Sequence, residues 1–153
     1  MKKFWKENKG FFIVVISLVL IIVLSLFIEG NSTNDESSSN TSYSDDIAQW
    51  LEAGKEDESI VTVIAQTTCS HCINYKPVIT EVQKEYNFKL YWFEADEMTS
   101  SDYTTLIDTY DLQDYGGTPH TFIVRSGELV AEQSGEVSED TLISFLKENG
   151  VID

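Results

Sequence analysis

The hydrophobic positions from residue 45 onward alternate along the chain between the pattern of a helix and that of a strand. Ile47, Trp50 and Leu51 recur at the spacing of one helical face. The β-branched run Ile60–Ala65 has instead the composition of a buried strand. The predicted helices lie between Ser44 and Gly54, Cys69 and Tyr86, Thr99 and Tyr110, and Ser138 and Gly150, and the predicted strands cover residues 60–65, 88–94, 121–125 and 128–133.

The order of these elements predicts an α/β fold. The strand–helix–strand arrangement over residues 60–94 favours parallel pairing, whereas the two strands joined at Ser126 and Gly127 form an antiparallel hairpin. A central mixed sheet flanked by helices on both faces accommodates both kinds of pairing.

The first 28 residues differ from the rest of the chain in charge and hydropathy. Four of the first ten residues are lysines, and the 18 residues from 11 to 28 carry no charge. As a helix they reach about 27 Å, close to the ~30 Å hydrocarbon core of a bilayer. Residues 1–28 are therefore predicted to be an uncleaved signal anchor, with the N-terminus in the cytoplasm. The alternative is a cleaved secretory signal, which usually has a shorter apolar core and a small-residue cleavage site.

The remaining chain divides into a linker and a domain. Residues 29–44 are rich in serine, asparagine and threonine and are predicted to form a disordered linker. Residues 45–153 are then left for one domain of common size. With a net charge of −16, the chain is not expected to bind nucleic acid.

The only two cysteines, Cys69 and Cys72, are separated by two residues. Such a pair can be a structural staple, half of a metal site or a redox centre. A disulfide that closes so short a loop constrains the unfolded chain very little, which disfavours a staple. A cysteine at the start of a helix favours the thiolate, the form that attacks disulfides, and Cys72 lies on the same helical face. A C-x-x-C beside a strand–helix–strand pattern is typical of a redox motif.

Residues 46–150 resemble the thioredoxin superfamily, which implies a thioredoxin-like fold. Pro77 stands five residues after Cys72, where thioredoxins have the proline that kinks the active-site helix. Residues 117–119 resemble the family's cis-proline loop, and residues 121–150 resemble its terminal hairpin and helix. Within the superfamily, the chain looks most like bacterial extracytoplasmic thioredoxin-like proteins, which include the bacteriocin transport accessory group of Gram-positive bacteria.

The chain departs from the family pattern in three respects. Thr68 replaces the tryptophan that precedes the first cysteine, and Val63 replaces the buried acid that accepts the proton of the second. The dipeptide between the cysteines is Ser-His, and His71 resembles the histidine in the motif of strongly oxidising periplasmic enzymes. The resemblance thus implies that His71 stabilises the Cys69 thiolate, which makes the disulfide a better oxidant.

The same resemblance assigns roles to the candidate site residues. Cys69 and Cys72 form the redox disulfide and are the catalytic pair, with His71 tuning the thiolate. Thr118 and Pro119 offer backbone to an extended substrate segment beside the sulfurs. His120 follows them directly and is predicted either to line the substrate groove or to be simply exposed.

A non-catalytic accessory protein or metallochaperone is the alternative from another class. Cys69 and Cys72, with His71 or His120, supply the sulfur and imidazole ligands that suit Zn²⁺ or Cu(I). Against this alternative, a cysteine and a histidine at one helix tip are poorly placed to bind one ion together.

The sequence as a whole predicts an anchored, extracytoplasmic thiol–disulfide oxidoreductase of a bacterial cell membrane. Its expected substrates are cysteines of secreted proteins or peptides, and a redox partner recharges the C-x-x-C. No bound cofactor or metal is expected, because the disulfide itself carries the electrons. The direction of electron flow stays open at this point.

Overall fold

The computed structural model describes residues 44–153, all of which belong to one compact unit. The predicted signal anchor (residues 1–28) and nearly all of the predicted linker (residues 29–44) lie outside the described residues. Within residues 44–153, every helix is too short or too polar to span a membrane.

Four helices and four strands make up this part of the chain. They follow the order predicted from the sequence, and their ends agree with the prediction to within one or two residues. The elements are α1 (Asp45–Lys55), β1 (Ile60–Ala65), α2 (Ser70–Tyr86), β2 (Lys89–Glu94), α3 (Ser100–Thr109), β3 (His120–Arg125), β4 (Glu128–Ser134) and α4 (Glu139–Glu148).

The four strands form one mixed sheet in the order β2-β1-β3-β4. β1 runs parallel to β2 and antiparallel to β3, and β3 pairs antiparallel with β4. The predicted central mixed sheet is therefore confirmed. Because β1 and β3 are the two inner strands and are almost entirely buried, they form the centre of the fold.

Successive residues of the inner strands point to opposite faces of the sheet, so the core has two halves. On one face, Ile60, Ile64 and Phe122 pack against Trp50 of α1 and Leu106 of α3. The residues of the opposite face pack against α2 and α4, and the buried members of this second cluster are Val61, Val63, Tyr75, Ile79, Val82, Phe88, Ile123, Leu142 and Leu146.

The helix starts are fixed by side chains that cap them. The hydroxyls of Ser44, Thr99 and Ser138 each accept a hydrogen bond from a backbone N–H in the first turn of α1, α3 and α4. At the start of α2, however, the capping residue is Cys69, and its sulfur takes the place of the hydroxyl oxygen. The fold therefore begins its longest described helix at a thiol.

Candidate active site

The Cys69 thiol lies at the N-terminus of α2, directly after the loop that follows β1. Its Sγ accepts a hydrogen bond of 3.2 Å from the backbone N–H of Cys72. The backbone N–H of Cys69 itself donates to the carbonyl of Gln66, which closes the turn between strand and helix. The sulfur thus occupies the place where unpaired N–H groups and the positive end of the helix dipole favour an anion.

The two cysteines differ in access to solvent. Both are free thiols, with Cys69 partly exposed and Cys72 only 2% exposed. A bulky disulfide substrate can therefore approach Cys69 first. Cys72 remains behind it, on the side of the protein interior.

The two thiols also differ in the direction of their pKa shifts. Burial raises the pKa of Cys69, but hydrogen bonds from the side chains of Cys72 and Thr118 and from the backbone N–H groups of Cys72 and His71 outweigh it, so the pKa is lowered. The pKa of Cys72 is raised, first by burial and then by its hydrogen bond to Cys69. Cys69 is consequently the better thiolate, as a nucleophile requires.

The cis-proline loop packs directly against Cys69. The peptide bond between Thr118 and Pro119 is cis, as the resemblance implied. The Cys69 thiol donates to the Thr118 carbonyl at 3.4 Å, and the Thr118 hydroxyl reaches Gln66 Oε1 at 3.5 Å. The Pro119 carbonyl accepts from the N–H of Gly135, which ties the loop to the end of β4. The contact between thiol and carbonyl exists only while Cys69 carries its proton.

His71 projects from the tip of α2 into solvent, with 70% of its side chain exposed. Its Nδ1 lies 2.9 Å from Glu136 Oε2, in the segment between β4 and α4. The hydrogen bond and the charge of Glu136 raise the pKa of His71, and the charge of Cys69 makes a smaller contribution. The imidazole therefore interacts more strongly with Glu136 than with the thiolate that it was predicted to tune.

His120 has a different environment from the one that its position after Pro119 suggested. Its side chain is 2% exposed, and its Nε2 and Nδ1 lie 2.8 Å from Glu132 Oε2 and 3.1 Å from Ser134 Oγ. The ring packs against Tyr115 and Phe122, on the face of the sheet opposite α2. A buried imidazole with both nitrogens occupied has no free surface for contact with a substrate, and plain exposure is excluded.

Two contacts near the motif were not expected from the sequence. Asp96, after β2, accepts hydrogen bonds from the backbone N–H and the hydroxyl of Thr67, and these bonds lower the pKa of Asp96. In the core, the Thr121 hydroxyl donates to the Tyr75 hydroxyl at 3.1 Å. The first contact fixes the loop before Cys69, and the second joins α2 to β3. Each depends on which strands are neighbours, so neither leaves a local signal in the sequence.

A cavity of about 340 Å³ opens beside Cys72, between α2 and the ends of β1 and β2. Ile73, at its rim, is 61% exposed, the most exposed large hydrophobic residue in residues 44–153. Within the same part of the chain, no cluster of three or more histidine, cysteine, aspartate or glutamate side chains is arranged to hold an ion.

Comparison with known proteins agrees with this geometry. The family model for thioredoxin matches residues 34–148. The chain therefore belongs to the thioredoxin family, and its class of enzyme is thiol–disulfide oxidoreductase. At this level its substrates are thiols and disulfides, and a redox partner restores the active pair.

Individual relatives have low sequence identity to this chain. The chain is 27% identical over 103 residues to a "Disulfide bond formation protein" of Brevibacillus choshinensis, and the match covers 64% of the chain and 78% of that protein. The thioredoxin of Fasciola hepatica superposes with a TM-score of 0.54 at 16% identity and covers 67% of this chain and 90% of that one. The thioredoxin of Aeropyrum pernix gives 0.56 at 13%, with coverage of 67% and 82%. These two structures support the predicted thioredoxin-like fold.

Proposed function

We propose that this chain donates disulfides to secreted proteins or peptides outside the cytoplasm, through Cys69 and Cys72. The observation that carries the proposal is the position of Cys69. Its partly exposed thiol has a lowered pKa, caps α2 and contacts the Thr118 carbonyl of the cis-proline loop. The buried Cys72 thiol is within hydrogen-bond reach of the Cys69 thiol, close enough to form or release a disulfide with it.

The proposed reaction consists of two thiol–disulfide exchanges. A substrate thiolate attacks Cys69 Sγ in the Cys69–Cys72 disulfide; the bond between the two cysteines breaks, and Cys72 leaves as a thiol once it has taken up a proton. A second substrate thiolate then attacks the substrate sulfur of the mixed disulfide, and Cys69 leaves as a thiolate. The substrate loses two electrons to the protein, and the redox partner removes them to restore the disulfide.

The lowered pKa of Cys69 favours this direction. A thiolate that is stabilised in the reduced protein makes its disulfide more oxidising, because the reduced state is the more stable one. The name of the Brevibacillus choshinensis relative, a disulfide bond formation protein, points the same way. Thr118 and Pro119 are proposed to position the substrate segment, and Ile73 offers an exposed apolar contact beside the sulfurs.

The location is supported by the sequence. Four lysines precede an uncharged stretch of 18 residues, which fits a membrane anchor with residues 45–153 on the outer side. A disulfide donor is useful there, because cytoplasmic thiols are kept reduced. A bacteriocin is one class of secreted peptide that such an enzyme could serve.

The reduction potential of the full-length chain, measured by equilibration with glutathione, tests the proposal. A value close to the ~−120 mV of a strong oxidant supports disulfide donation, and a value near ~−270 mV assigns the opposite direction. Cys72→Ser is the matched control and must lose the two-electron couple. The enzyme proposal fails if the wild-type chain also has no reversible couple.

A further inference from the structure

Cys72 and a carboxylate from β2 line the same cavity. Cys72 and Lys76 of α2 line one side, and Glu94, the last residue of β2, lines the other. The remaining lining residues are Gln66, Thr67, Ile73, Pro77 and Trp92. Cys72, Lys76 and Glu94 are the titratable groups of this cavity, and its volume of about 340 Å³ has room for water.

The two oxygens of the Glu94 carboxylate have different surroundings. Oε1 accepts hydrogen bonds from Trp92 Nε1 at 2.7 Å and from Lys76 Nζ at 3.0 Å. Oε2 is buried and has no hydrogen-bond partner among residues 44–153. A buried acceptor without a donor is unfavourable, so few are found in folded proteins. Here the fully bonded oxygen holds the group in place, and the other oxygen remains able to take up a proton.

Cys72 requires such an acceptor whenever it acts as a nucleophile. Its thiol must lose a proton before it can attack a mixed disulfide on Cys69, and its pKa is raised by burial. The strand behind it provides no base, because the buried residues of β1 on that face are Val61 and Val63. The nearby Tyr75 hydroxyl is bonded to Thr121 and has a pKa raised to about 12, mainly by burial.

We propose that Glu94 accepts and returns the proton of Cys72 during thiol–disulfide exchange. When Cys72 attacks Sγ of Cys69 in a mixed disulfide, its S–H bond breaks and the proton passes to Glu94 Oε2 across the cavity. The Cys69–Cys72 bond forms and the substrate leaves as a thiolate. In the opposite direction, Glu94 returns the proton as Cys72 leaves. Lys76 is the positioning residue that holds Oε1.

Other charged groups border Glu94 and share its environment. Lys76 and Cys72 share the first cavity with Glu94. Glu94 also lines a second cavity, whose other titratable lining residues come from the loop after β2, from α1 and from α3, namely Glu97, Asp46 and Asp102. Asp102 accepts a hydrogen bond from the backbone N–H of Ser44. Of these groups, only Lys76 and Glu94 share the cavity beside Cys72.

The proposal rests on the proposed function and is tested by following the two cysteines separately. The reduced full-length chain is mixed with the aromatic disulfide 5,5′-dithiobis(2-nitrobenzoate) between pH 5.5 and 9.5. Attack by Cys69 releases one coloured thiolate, and attack by Cys72 on the mixed disulfide releases a second. Glu94→Gln keeps the acceptor for Trp92 and Lys76 but loses the base. Glu97→Gln removes an exposed carboxylate from the loop that follows β2 and is the control.

We expect Glu94→Gln to slow the second release about 100-fold or more at pH 7, as is typical on loss of a general base, with the first release unchanged. The difference should shrink as the pH rises, because hydroxide replaces the missing base. Glu94→Asp should recover part of the rate, and Glu97→Gln should behave as the wild type.

Two results overturn the role of Glu94 and leave the enzyme proposal intact. One is a second release of wild-type rate and pH profile in Glu94→Gln. The other is a loss by the same factor at every pH, which would mark a packing role. If the wild-type chain shows no second release, the proposed function fails together with this inference.

Discussion

Each of the two histidines in the chain is bonded to a glutamate, and the two imidazole rings have opposite surroundings. His71 and Glu136 meet in solvent at the tip of the active-site helix. His120 lies inside the fold and reaches Glu132 from the central strand that follows the cis-proline. The same two kinds of side chain, at almost the same distance, therefore serve different purposes.

The two pairs differ in purpose because their histidine rings differ in access to water. Solvent screens the exposed pair, so its contribution to folding is small, and its main effect is on the titration of His71. The buried ring of His120 has replaced its hydration by protein partners, while 42% of the Glu132 side chain stays exposed, and removal of a partner leaves a ring nitrogen unsatisfied. We therefore expect changes near His71 to alter redox chemistry, and changes at His120 to alter stability.

Cys69→Ser should give the largest effect on function. Cys69 caps the helix whose tip carries the exposed pair of His71 and Glu136. We expect thiol–disulfide exchange to fall by at least about 1,000-fold, because the nucleophile is lost. The serine hydroxyl can still cap α2, so the free energy of unfolding should change little. Insulin reduction and thermal melting measure the two quantities, and Ser70→Ala is the neighbouring control. Exchange at the wild-type rate would contradict the role of Cys69.

His120→Ala should give the largest effect on stability. Loss of a buried ring with both nitrogens bonded leaves a cavity, at a cost of about 2–4 kcal/mol in the free energy of unfolding. Urea denaturation measures the cost, and His71→Ala is the matched control that should remain close to wild type. Equal losses in the two variants would remove the distinction between the pairs.

His71→Ala should shift the redox equilibrium moderately. An imidazolium beside Cys69 stabilises the thiolate, so its loss should make the protein less oxidising, by about 3- to 10-fold in the equilibrium with glutathione, or roughly 15–30 mV. Part of its charge is compensated by Glu136, which limits the effect. An unchanged potential would mean that the backbone N–H groups and the side chains of Cys72 and Thr118 set the Cys69 pKa without the imidazole.

Glu136→Gln should have the smallest effect, on the titration of His71 alone. The pKa of His71 is raised above 6.5 by Glu136, so it should move back down, as followed by NMR of the imidazole ring. Because the folded pKa lies above the unfolded one, the pair's stabilisation is complete below pH 6.5 and is lost as the pH rises through the folded value. Glu139→Gln is the control, and an unmoved pKa would show that the contact does not persist in solution.

The fold was predictable because its signals are local. Helix-capping side chains at Ser44, Thr99 and Ser138 and the β-branched run of β1 each mark an element without reference to the rest of the chain. The position of the two cysteines at a helix start follows from the same local pattern.

The side chains around the cysteines were harder to predict, because their partners are distant in sequence. His120 directly follows Pro119, yet strand alternation turns its ring to the opposite face, and only the strand register determines that face. Glu136 lies 65 residues from His71, and Glu94 reaches the cavity beside Cys72 because β2 pairs with the strand before α2. A linear sequence contains no measure of these distances.

The position of Trp92 has an optical consequence. Its indole borders the cavity beside Cys72, lies 4.9 Å below the Lys76 ammonium and bonds to Glu94. The other tryptophan within residues 44–153, Trp50, is fully buried under the opposite face of the sheet. Ultraviolet emission from Trp92 should therefore change when the neighbouring sulfur is oxidised, while that of Trp50 stays constant. The chain then contains its own label-free indicator of redox state, with an internal standard on the other side of the sheet.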